Sequence, residues 1–110
     1  MLPAKKRLNR TDFNRFFASG RRYHHTFFTL VHTPHPTFHG SVVVSKKIAA
    51  RATARNLLRR RVYEALYALT RDESRTGVYI IILKAGAVAA PYRGLKEAVR
   101  DLLGGMDAAR

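Results

Sequence analysis

The chain has 110 residues, enough for one domain, and 46% of them are apolar, too many for a disordered basic tail. Its net charge is +14, from 21 Lys and Arg against seven acids, so a polyanion is the expected partner and nucleic acid the default one. Cysteine is absent, which excludes disulfide and thiolate chemistry and fits a cytoplasmic location; the apolar run 78–83 is too short to cross a bilayer, and Lys5-Lys6-Arg7 interrupts any secretory segment after Met1.

Residues 1–10 are basic and lack apolar periodicity, so they read as a flexible or extended arm ahead of a single domain over 11–110. Thr11 is placed to cap a short helix, with Asp12 in its first turn. Phe13, Phe16 and Phe17 then fall at i, i+3 and i+4, and Gly20 closes the helix. A helix this short needs one apolar face, so at least two of these three rings are expected in the core.

Residues 25–33 are β-branched and aromatic and read as a strand. The segment from Tyr23 can equally be two short strands. Pro34 and Pro36 interrupt the ladder, and a further strand resumes over 38–45. The short spacing suggests an antiparallel pair.

Residues 49–70 carry a long helical rhythm. Ala54, Leu57, Leu58, Val62, Ala65, Leu66 and Leu69 form an apolar face. Arg51, Arg55 and Arg59 lie along another face, beside a row of Asn56, Arg60, Tyr63 and Tyr67. A polar loop over 71–77 leads to the apolar strand 78–83, suited to a central position. Pro91 opens a last helix whose face is Leu95, Ala98, Val99, Leu102 and Leu103, and Gly104-Gly105 is expected to end it. The order is α-β-β-(β)-α-β-α, an α+β domain.

The charge is concentrated. Fourteen of the 21 cations lie in residues 1–61, where Asp12 is the single acid. Lys46, Lys47, Arg51, Arg55, Arg59, Arg60 and Arg61 occupy one stretch with Asn56 among them. Arginine offers a planar fork that engages phosphate bidentately. Three arginines spaced by four residues stand about 6 Å apart along a helix, close to the spacing of phosphates on one strand. Asn56 adds a donor and acceptor for a ribose hydroxyl or base edge. A merely solvated face mixes both signs, and this one does not.

Tyr23, Phe27, Phe28 and Phe38 on or near strands can stack unpaired bases, although a strand phenylalanine is more often core. His24, His25, His32, His35 and His39 match no structural zinc spacing. An acid–base pair of histidines with Lys46 is conceivable, but nothing orients it. No Gly-rich phosphate loop exists and the acids form no cluster, so neither a catalytic residue nor a metal site is expected within this chain.

Ser45-Lys46-Lys47-Ile48, followed by Ala54-Arg55-Asn56-Leu57-Leu58-Arg59-Arg60-Arg61, resembles the signature of the bacterial ribonuclease P protein component. The Arg7-Leu8, Asp12-Phe13, Phe17 and Gly20 pattern and the strand Val78-Tyr79-Ile80-Ile81-Ile82 are similar too, so the likeness covers roughly residues 5–103. The resemblance implies a two-layer α/β sandwich with a mixed sheet and a left-handed crossover through the basic helix, against the usual hand. It implies an endonuclease subunit that assists a catalytic RNA in removing the 5′ leader from precursor tRNA, with Mg²⁺ held by the RNA. Lys46, Lys47, Arg51, Arg55, Asn56, Arg59, Arg60 and Arg61 would then bind the RNA subunit. Phe13, Phe17 and Phe28, with Lys5, Lys6 and Arg7, would bind the leader or tRNA. Leu57 and Tyr63 stand where the family often has arginine, and Arg61 offsets one lost cation. Apart from RNA the protein would be monomeric. A ribosomal protein or general RNA chaperone is the alternative, and a protein-only nuclease using His24 or His25 is a second.

Overall fold

In the computed structural model, residues 8–71 and 75–108 are described. Helix α1 spans Arg10–Ser19. Its cap is Asn9 rather than Thr11: the Asn9 side-chain oxygen accepts the Asp12 N–H at 2.8 Å, and an asparagine caps as well as a threonine from two positions further out. Gly20 ends the helix at an ordinary φ of −73°, so it is not there for left-handed backbone. It is there for space, because a Cβ would meet Val31 Cγ1 at 2.4 Å.

Four strands follow: β1 (Arg21–His24), β2 (Phe28–Thr33), β3 (Phe38–Val43) and, after the long helix, β4 (Gly77–Leu83). The region from Tyr23 thus resolves into two strands. They pair antiparallel, joined by a turn in which the His25 N–H donates to the Phe28 carbonyl at 2.8 Å.

The sheet order is β1-β2-β4-β3, antiparallel except for the parallel pair β3–β4. The antiparallel pairing of β2 with β3 expected from their spacing does not occur. β4 inserts between them, since six of its seven residues, Val78–Leu83, are apolar on both faces and only a central strand covers both. The two prolines between β2 and β3 oppose a tight hairpin as well. Gly77 begins β4 at φ +110°, a conformation side chains rarely adopt.

Helix α2 (Ala52–Thr70) crosses from β3 to β4. It starts three residues later than periodicity suggested, because residues 45–49 form their own turn, with the Ile48 and Ala49 N–H groups on the Ser45 carbonyl. Helix α3 (Tyr92–Ala108) runs through Gly104 and Gly105 instead of ending there. Met106, the next residue, is fully buried, and Arg75 donates to both carboxylate oxygens of Asp107 at 2.8 and 3.1 Å, so tertiary contacts outweigh the glycines.

Strand alternation sorts the core into two clusters. Phe28, Leu30, Val42, Tyr79, Ile81 and Leu83 face α2 and α3, giving the expected two-layer sandwich. Val31, Val78 and Ile80 face the other way and are covered by α1 through Phe16. Tyr63 belongs to the first cluster, while Leu57, expected on the apolar face of α2, is an exposed side chain.

Candidate nucleic-acid interface

Two surfaces emerge from this packing, on opposite sides of the sheet. The first is the outer side of α2 with the turn before it. Lys46, Lys47, Arg51, Asn56 and Arg60 are exposed; Arg55, Arg59 and Arg61 are half-buried. The first turn of α2 has neither an acid nor a side-chain cap, so its free N–H groups add positive potential to Arg51. Among the described residues no carboxylate pairs with any of these seven cations.

The arginines do not all point freely outward, as their spacing suggested. Arg55 folds back and donates to the carbonyls of Ala50 at 2.7 Å and Ala49 at 3.0 Å. It locks the end of the turn that carries Lys46 and Lys47 onto the helix. Arg59 donates to the side-chain oxygen of Asn56, which fixes both. Among the described residues, Arg51, Arg60 and Arg61 make no side-chain hydrogen bond within the fold. Tyr63, read from the sequence as an outward phenol beside Asn56 and Arg60, is buried, and its hydroxyl accepts the Val42 N–H.

The second surface follows from the strand register. On the α1 side of the sheet, cross-strand partners form rows. Arg22, Val31, Ile80 and Ser41 make one row, and His24, Thr29, Ile82 and Val43 make the next. Helix α1 seals the centre of the first row, where Val31 and Ile80 are buried. It leaves the second row partly open, since none of its four residues is buried. The rings of Phe13 and Phe17, stacked at 5.6 Å, stand half-exposed along α1. A hollow of about 520 Å³ lies at the β3 end, lined by Leu8, Asn9, Arg10, Phe13, Asn14 and Ser41. The result is a shallow groove with an apolar, aromatic wall, suited to unpaired bases.

Phe28 is not part of this groove. It is fully buried on the α2–α3 side, because alternation places it in phase with Leu30 rather than Val31. Its proposed contact with a leader is therefore corrected. Of the three α1 phenylalanines one is buried, Phe16, and two are half-buried against the second cluster. Lys5, Lys6 and Arg7 lie outside the described residues.

The histidines are dispersed. His24 sits on edge strand β1, while Lys46 follows the opposite edge strand, β3. Three inter-strand spacings, roughly 14 Å, separate those edges, so the two do not share a proton. His25 accepts the Phe27 N–H, His32 is buried beside Tyr79, and His35 and His39 meet edge to face around Thr37. Among the described residues no three histidine or carboxylate side chains come together.

Comparison with known proteins agrees with this architecture. The family model described as Ribonuclease P matches residues 2–107. A ribonuclease P protein component from Microcystis aeruginosa (strain NIES-843 / IAM M-2473) is 30% identical, over 93% of this chain and 91% of that one. The fold is similar to the RNase P protein of Staphylococcus aureus, with TM-score 0.80, 19% identity, and 90% and 93% of the two chains covered. It is similar to that of Thermotoga maritima, with TM-score 0.76, 22% identity, and 88% and 94% covered.

Proposed function

The chain belongs to the ribonuclease P protein family, and from that premise we propose how its two surfaces divide the work. As a family member it is a subunit of an endoribonuclease ribonucleoprotein in tRNA 5′ processing, and its partner is the RNA subunit. The side of α2 bearing Arg51, Arg55, Asn56, Arg59, Arg60 and Arg61, with Lys46 and Lys47, takes the RNA subunit by neutralising phosphates. The groove along Phe13 and Phe17 takes the single-stranded leader of precursor tRNA. Binding the leader raises substrate affinity; the bond itself is cleaved by the RNA.

The observation that carries this reading is the absence, among the described residues, of any carboxylate against the α2 cations, combined with an open aromatic groove on the far side of the same sheet. Mg²⁺ is assigned to the RNA. The described acids do not fit a site of the protein's own, since Asp12 pairs with Arg15 and Asp107 with Arg75 while the remaining carboxylates are dispersed. Apart from RNA the protein acts as a monomer, in the cytoplasm. Among the described residues no helix is long and apolar enough to cross a membrane.

The test is reconstitution with a bacterial ribonuclease P RNA. The protein is expected to restore leader removal at low Mg²⁺ and to favour precursor over mature tRNA. Equal affinity for the two substrates would refute the leader groove, and cleavage by the protein without RNA would refute the division of labour.

A further inference from the structure

Arg22 ends the aromatic wall of the groove on the side of β1. Its guanidinium carbon lies 4.8 Å from the centroid of the Phe17 ring, which is itself stacked on Phe13. Phe17 is thus in contact with both the guanidinium and the Phe13 ring. One N–H of Arg22 also donates to the Phe17 carbonyl at 3.4 Å, one of the carbonyls left open at the end of α1. That bond aims the guanidinium and leaves most of its donors unused.

Comparison with Arg15 shows what is particular here. Arg15 also lies over a ring, 4.5 Å from the Phe16 centroid, but Asp12 pairs with it at 3.5 Å. Among the described residues no carboxylate pairs with Arg22, and its side chain is exposed. An arginine already held by a ring and a helix end loses little freedom when it takes a ligand. A planar cation beside stacked aromatics matches one chemistry well: a nucleotide whose base lies on the rings while its phosphate meets the fork.

Resting on the groove reading above, we infer that Arg22 is a phosphate-binding residue that fixes the path of the single-stranded leader across the sheet toward the β1 edge. It is a determinant of the preference for leader-bearing substrate, separate from the α2 surface that takes the RNA subunit. The register supports the route, since Arg22 shares its face with His24, whose Nδ1 lies 3.4 Å from the Thr29 hydroxyl on the open row.

The experiment uses the reconstituted ribonucleoprotein and compares binding of precursor and mature tRNA. Arg22→Ala is expected to weaken precursor binding by about tenfold, with mature tRNA and RNA-subunit affinity unchanged. Arg22→Lys should recover part of the loss, because it restores charge without the fork. Arg22→Gln retains a donor for the Phe17 carbonyl but no charge. It should keep the thermal stability of the parent and still lose precursor preference, which separates leader binding from helix capping. Phe17→Ala serves as the control on the groove. If Phe17→Ala abolishes precursor preference while all three Arg22 variants keep it, the assignment of Arg22 is overturned and the groove stands. If neither site affects the preference, the groove reading falls and takes Arg22 with it.

Discussion

The hydroxyl of Tyr63 on α2 accepts the backbone N–H of Val42 on β3 at 3.1 Å, tying the basic helix to the edge of the sheet. An edge strand leaves alternate N–H groups without a ladder partner, and this one is buried. Tyr63→Phe removes the acceptor and keeps the ring. The expected cost is about 1–3 kcal/mol, a fall in melting temperature of about 4–8 °C per kcal/mol, with RNA affinity unchanged once folded. Thermal denaturation followed by circular dichroism checks this, and an unaltered midpoint would refute the link.

Arg55 and Arg60 should separate stability from binding. Arg60 is exposed and makes no hydrogen bond within the described fold, so Arg60→Ala should reduce the slope of log affinity against log salt by about one unit without changing the melting point. Arg55 holds the carbonyls of Ala49 and Ala50, so Arg55→Ala should lower stability as well as affinity. Titration of the RNA subunit across a salt series, beside melting curves, tests both. Identical profiles for the two variants would contradict the geometry.

Phe28 and Phe17 should fail in different ways. Phe28 is fully buried, and Phe28→Ala should cost about 3–5 kcal/mol, enough to unfold much of the protein. Phe17 is half-exposed in the groove, so Phe17→Ala should lose less stability and instead reduce discrimination of precursor from mature tRNA. Denaturant titration of both variants, with binding measured on the folded one, makes the comparison.

Three glycines give predictions of opposite sign. Gly20→Ala would drive a Cβ to 2.4 Å from Val31 Cγ1 and 2.9 Å from the Phe16 carbonyl, so a loss of about 1–3 kcal/mol is expected. Gly104 and Gly105 lie inside α3, where an added Cβ meets nothing within 4 Å. Gly104→Ala or Gly105→Ala should therefore stabilise the protein by about 0.5–1 kcal/mol each. Melting midpoints decide the signs.

Much of the fold and the basic surface was legible along the chain. The periodicity of α2 and α3, the apolar run of β4 and the cations from Lys46 to Arg61 with no acid among them are local patterns, set by residues within a turn or two of one another. Those patterns determined the elements, the charge and the nature of the partner. What they could not hold was anything decided by a distant segment. Which strand lies beside β3 depends on where β4 buries both its faces. Whether Phe28 meets solvent or core depends on the phase of β2, and a shift of one residue reverses it. Tyr63 was read as a surface phenol because its partner, the Val42 N–H, is 21 residues away. Arg22 carried no signal beyond its charge, since only folding sets its guanidinium over Phe17. Tertiary structure decided those four points because register and face are properties of pairing between segments.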